Sequence, residues 1–187
     1  MSLYFFGLIS IPEKIKTGRL DLYITKPVNA LFHLSFESMD LGSVPLVFAS
    51  IGLLMYSVAG MDVKITVFKI IGYTFLVMLM LLLHFDTMVI LRTIPFFTIQ
   101  AASIERLEGE LITLCMKIPG TLFKGPFKVI FCLILPYGIM ATVPSQFITG
   151  TLSLSGFIFS TAIVVAYTAF TLAFWNYGLK RYESAGS

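Results

Sequence analysis

The sequence predicts an all-α membrane protein of about four transmembrane helices with additional cytoplasmic interfacial helices. Of its 187 residues 57% are hydrophobic and only 12% charged, against roughly 45–50% and 25% in soluble domains. The apolar residues also fall in long blocks: from Val129 to Leu179 there is no Asp, Glu, Lys, Arg or His. A crossing takes about 20 residues, so that block holds more than one. The third observation is where the charges lie. Eleven of the thirteen Lys and Arg are in three stretches (Lys14 to Lys26, Arg92 to Lys128, and Lys180 with Arg181), leaving Lys64 and Lys69 apart. An even number of crossings puts those three stretches on one side, and basic residues are retained on the cytoplasmic face.

Taken in order, the opening MSLYFFGLIS is apolar but has neither a basic leader nor a small-residue cleavage site, so it is read as the tail of a longer helix and not as a signal peptide. In Val28 to Asp40, Val28, Leu31, Phe32, Phe36 and Met39 share one helical face and Asn29, His33, Glu37 and Asp40 the other, which predicts an interfacial helix. Spans follow at about 41–61 and 65–83. Lys69 lies near the start of the second, where its four-carbon stem carries the ammonium to the interface. His84 to Lys128 holds nine charged residues besides His84 and does not stay in hydrocarbon throughout. Within it, Thr87 to Gln100 reads equally as a continuation of the second span or as a separate interfacial piece. Ala101 to Lys117 carries a stripe of Ile104, Leu107, Leu111 and Leu114 opposite Glu105, Arg106 and Glu108, a second surface helix ended by Pro119 and Gly120.

The remaining spans are placed at about 126–145 and 157–178. Pro136, Pro144 and Gly150 mark the outer turn, and Thr142 to Gly156 fits a re-entrant hairpin and a plain loop equally well. In the last span Ala162, Ala166, Ala169 and Ala173 line one face, a close-packing surface for another helix of the bundle or of a second subunit.

Catalytic, cofactor and metal residues are not predicted. The sequence has no G-x-x-x-x-G-K-[ST], so it carries no ATPase site of that kind, and neither H-E-x-x-H nor G-x-S-x-G. His33 and Glu37, four apart, make two metal ligands without a third. His84 and Asp86 are read as hydrated residues at a span end, and Glu105 with Glu108 as a wet helix face. Cys115 and Cys132 are read as free thiols. A net charge of +3, spread by topology and not gathered in a patch, argues against nucleic acid.

Three runs of residues carry a resemblance. They are Ile15 to Asp21 (Ile-Lys-Thr-Gly-Arg-Leu-Asp) followed by Tyr23-Ile24-Thr25-Lys26-Pro27-Val28-Asn29-Ala30-Leu31-Phe32; Ile118-Pro119 with Phe123, Gly125, Leu135-Pro136 and Val143-Pro144; and the ending Trp175 to Ser184. They resemble the membrane (permease) subunits of bacterial type-2 ATP-binding-cassette exporters. Members of that family have six spans, so the resemblance implies that the first two are missing here. It further implies an ATP-binding-cassette ATPase subunit and a second permease subunit, the same or homologous, as partners in the plasma membrane, with a cytoplasmic C-terminus. The ATPase-coupling candidates are Gly18, Arg19, Asp21, Lys26, Pro27 and Glu37. Gly18 is suited to break the chain between two short helices, Arg19 and Asp21 offer opposite charges, and Pro27 fixes the following turn. The same basic residues also serve as plain anchors to anionic lipid. Lacking two spans, the chain has an alternative reading as a non-transporting binding or assembly partner of a full-length permease.

Overall fold

The computed structural model describes residues 6–38, 41–60, 66–98, 106, 109–110, 113, 117 and 125–182. Among them there is no strand. The chain divides into two compact units, residues 1–64 with 182–187, and residues 65–181.

The first unit begins with four short helices, α1 (Phe6–Ile9), α2 (Ile11–Lys16), α3 (Asp21–Ile24) and α4 (Ala30–Ser35). None is long enough to be stable alone; a small apolar core of Leu8, Ile11, Leu20 and Leu34, each fully buried, and Leu31 holds them. The closest approach is between α1 and α4, where a Cβ on Gly7 would lie 1.9 Å from the Leu34 carbonyl oxygen. Pro12 opens α2, at a position where its missing N–H costs nothing. The Asn29 side chain caps α4 by accepting from the Leu31 and Phe32 amides at 3.0 and 3.3 Å. The interfacial helix expected over Val28 to Asp40 is therefore only six residues long. Its apolar residues also part company: Leu31 and Leu34 turn into the core, while Val28, Phe32 and Phe36 are exposed. Met39 and Asp40 lie outside the described residues.

After a 3₁₀ turn at Leu41–Ser43 comes α5 (Val44–Ala59). Leu41–Ala59 is long and apolar enough to cross a membrane. Of its residues only Ser43 and Val58 are buried, so the helix presents apolar side chains all round, as a helix in lipid does.

The second unit is built from α6 (Val67–Thr93), α7 (Pro126–Val129) with a π-helical turn at Ile130–Ile134, α8 (Tyr137–Thr149) and α9 (Leu154–Arg181). The second span expected at 65–83 runs on to Thr93, and a 3₁₀ turn at Ile94–Phe96 follows, with Pro95 inside it. Its charged residues prolong the helix instead of ending it because other helices cover them: His84, Asp86 and Arg92 are 7%, 1% and 5% exposed. Helices α6 and α9 run parallel in register, with Phe75 against Phe157, Asp86 bonded to Thr168, and Thr93 beside Gly178. Helix α8 runs antiparallel to α6, pairing Phe147 with Gly72 and Tyr137 with His84. Leu76, Met80, Leu83, Phe131, Tyr137, Met140, Val143 and Val164 form the core where the three meet.

The span expected at 126–145 is interrupted. The π turn ends at Leu135, whose amide reaches back to Ile130 O at 2.7 Å, and Pro136 starts the next helix. A proline cannot donate to the preceding turn, so the break falls where the sequence dictates. Pro144, by contrast, sits inside α8. The turn expected over Thr142 to Gly156 is also shorter: α8 continues through Thr149, Gly150 ends it at φ +76°, and α9 begins at Leu154. Among the described residues three helices, Leu41–Ala59, Val67–Phe96 and Leu154–Arg181, are long and apolar enough to cross a membrane.

Candidate functional site

Among the described residues two clusters carry polar chemistry, one in each unit. In the first, α2 ends at Thr17, and Gly18 adopts φ +70°, a conformation that costs a non-glycine residue about 1–2 kcal/mol. The reversal lets the Leu20 amide return to the Lys14 carbonyl at 3.2 Å and starts α3 at Asp21. Around it, Lys14 pairs with Glu37, which also accepts from the Tyr23 hydroxyl. The Lys14 and Lys26 ammonium groups lie 4.5 and 5.8 Å from the Tyr23 ring centre, and His33 packs on that ring at 5.1 Å. Partial burial acts to raise the Glu37 pKa, but the Lys14 and Tyr23 hydrogen bonds outweigh it and hold the carboxyl below its usual range. The Glu37 carboxylate is thus hydrogen-bonded by Lys14 and Tyr23, and His33 acts on it only through charge.

Of the six residues expected on the coupling surface, Arg19, Lys26, Pro27 and Glu37 are exposed, and Gly18 and Asp21 are half-buried. The structure gathers Lys26 and Glu37 around one tyrosine. At Asp21, the carboxylate lies against Tyr182, whose hydroxyl pKa is raised by burial and then by that negative charge. Tyr23 and Tyr182 were not among the sequence candidates; an aromatic within a basic segment was the available signal.

The second cluster lies inside the helical bundle of the second unit. Thr168 Oγ1 of α9 donates to Asp86 Oδ2 of α6 at 2.6 Å. The neighbouring Tyr167 hydroxyl donates to the Ile134 carbonyl, one of those released where the helix breaks before Pro136. Thr87, fully buried beside Asp86, returns its hydroxyl to Leu83 O at 2.8 Å. The expectation that His84 and Asp86 are hydrated residues at a span end is therefore incorrect. The signal that identifies them is an ionisable residue within an apolar helix, where such residues are rare and face the protein.

The alanines Ala162, Ala166, Ala169 and Ala173 are exposed, on the side of α9 away from Ser160, Ile163, Val164, Thr171, Trp175 and Gly178, which are buried. At the far end of α9, Phe96 meets Trp175 at 5.6 Å, Phe97 stacks on Phe174 and Tyr177, and Arg181 bonds the Tyr177 hydroxyl. Such a mixture of aromatic and basic side chains marks a membrane–water interface. Of the surface helix expected at Ala101 to Lys117, the described residues Arg106, Gly109, Glu110, Thr113 and Lys117 are helical and exposed; its apolar stripe lies outside the described residues.

Apolar helices of spanning length, packed around a broken helix and ending in an aromatic-basic cluster, together define a multi-pass membrane protein. The family model described as ABC-2 family transporter protein matches residues 2–186, and the chain belongs to that family, as the membrane component of a transporter. No curated protein and no solved structure matches it.

Proposed function

We propose that the chain is the permease subunit of an ATP-driven exporter in the plasma membrane, forming part of the substrate path and driven by a separate ATPase subunit. The observation that carries this reading is the elbow from Ile11 to Pro27. It sets Arg19 and Lys26 at the surface of a small packed core and reverses the chain at Gly18. A short, packed and charged elbow transmits a push, because a folded core moves as a body where a loop would give way. Binding energy that differs between ATPase states then shifts the conformation of the spans. Co-expression with the ATPase subunit is expected to co-purify the two and to raise ATP hydrolysis. Transport with this chain as the sole permease separates the proposal from a non-transporting assembly role.

The parallel course of α6 and α9, with α8 antiparallel between them in sequence, supports residues 126–149 as the return crossing. With the split of basic residues, this supports a topology in which the N-terminus, Glu105 to Lys128 and the C-terminus are cytoplasmic and Asp62 and Ser153 are outside. A cysteine at position 153, in a chain without Cys115 and Cys132, is expected to label only from outside; labelling only from the cytoplasm rejects this topology. The outward alanine face of α9 and the uncovered circumference of α5 support contact with a second permease subunit.

A further inference from the structure

The structure assigns Asp86 and Thr168, with Tyr167, as a polar clamp by which α9 holds both α6 and the break in the neighbouring span. It does not depend on the ATPase reading.

Helix α9 has 28 residues, about 42 Å at 1.5 Å each, and Thr168 is near its middle, so the bond to Asp86 lies at membrane depth. Asp86 is 1% exposed, and a polar group there is costly unless hydrogen-bonded. The charged and titratable groups on the helices packed here are Lys69, Tyr73, His84 and Arg92 on α6, Tyr137 on α8, and Tyr167, Tyr177, Lys180 and Arg181 on α9. Asp86 Oδ2 is met by a hydroxyl, that of Thr168.

One turn of α9 thus faces two ways. Thr168 reaches α6, and Tyr167 reaches the Ile134 carbonyl beside the π turn. The helix it braces lacks continuous backbone hydrogen bonds between Ile134 and Tyr137, and such an interruption is the place where a membrane helix bends. Holding Ile134 from the same turn that holds Asp86 ties the angle of the break to the α6–α9 contact. Loosening the Asp86 bond therefore frees α8 to swing, and exposes the core positions that Met140 and Val143 fill against Leu76 and Met80.

The test is the rate at which an impermeant thiol reagent labels a cysteine at position 140, in the full chain without Cys115 and Cys132, in membranes. Thr168→Val and Asp86→Ala are each expected to raise the rate about threefold to tenfold, the range set by intramembrane hydrogen bonds. The double variant is expected to match either single one, since both remove the same bond. Thr168→Ser and Asp86→Asn keep a bond across the same gap and are expected to retain the low rate, which also separates loss of the clamp from failure to fold. Unchanged labelling in both single variants, additive effects in the double, or a rate in Asp86→Asn as high as in Asp86→Ala would each overturn the assignment.

Discussion

Replacing Gly7 by alanine is expected to dismantle the packing of the N-terminal helices. The added methyl meets the Leu34 carbonyl oxygen at 1.9 Å and its carbon at 3.1 Å. Backbone cannot swing aside as the tip of a side chain does, so α1 and α4 must separate and open the core of Leu8, Ile11, Leu20 and Leu34. Overpacking of this kind costs about 2–3 kcal/mol, a large share of what a core of so few residues supplies. Limited proteolysis of the membrane-embedded chain reads it. Cleavage between Lys14 and Lys26 is expected to accelerate at least tenfold over the parent, whereas equal protection would mean that the two helices do not approach so closely.

The second large effect is expected at Gly178→Leu in α9. A Cβ there lies 2.8 Å from Thr93 Cγ2 and 3.0 Å from the Phe96 ring, which is itself held against Trp175. In lipid, helices gain their contact energy by close approach at small residues, so a leucine at this point pushes α9 off α6 at its last turns. A loss of about 1–3 kcal/mol, or a fall of roughly 3–10 °C in melting temperature, is expected in detergent. Ala169→Leu, on the exposed side of α9, is the control and should leave the chain's own melting unchanged. Equal losses in the two variants would place the α6–α9 contact elsewhere.

That contrast indicates what the sequence could and could not convey. Apolar length alone announces α5, α6 and α9, because hydrocarbon thickness fixes how many residues a crossing needs. The reversal at Gly18 was legible too, since glycine between two short amphipathic runs has one obvious use. The face that α9 turns toward α6 was not. It is built from Ser160, Ile163, Val164, Thr171, Trp175 and Gly178, a mixture of sizes with no periodic signature of its own, while the four alanines in register line the opposite, exposed side. Which face turns inward depends on the partner helix, and that information is distributed over α6.

The end of α6 is undecided in the sequence, between a continuation and a separate piece, for a related reason. Counting charges treats His84, Asp86 and Arg92 as calls for water, whereas the fold supplies protein neighbours and, for Asp86, a hydroxyl from a residue 82 positions away. A contact between residues so distant leaves no local trace. The interrupted span was half legible: Pro136 and Pro144 are equally proline, but only Pro136 follows a π turn and breaks the helix, while Pro144 is absorbed within α8. At Pro136 the released carbonyl of Ile134 accepts the Tyr167 hydroxyl, a contact between residues 33 positions apart.

The proposal that an ATPase drives the spans through the elbow at Gly18 is tested most directly by the conservative pair Arg19→Lys and Asp21→Asn. Both keep the chain's charge close to that of the parent, so an anchor to anionic lipid would tolerate them, and Asp21→Asn makes the segment more positive. A contact through the planar guanidinium fork or the carboxylate would not tolerate them. With the ATPase subunit still co-purifying, its stimulation by this chain is expected to fall about tenfold in each variant, the equivalent of losing one charge-assisted hydrogen bond of roughly 1.4 kcal/mol. Full stimulation by both variants, with association and insertion unchanged, would contradict the account.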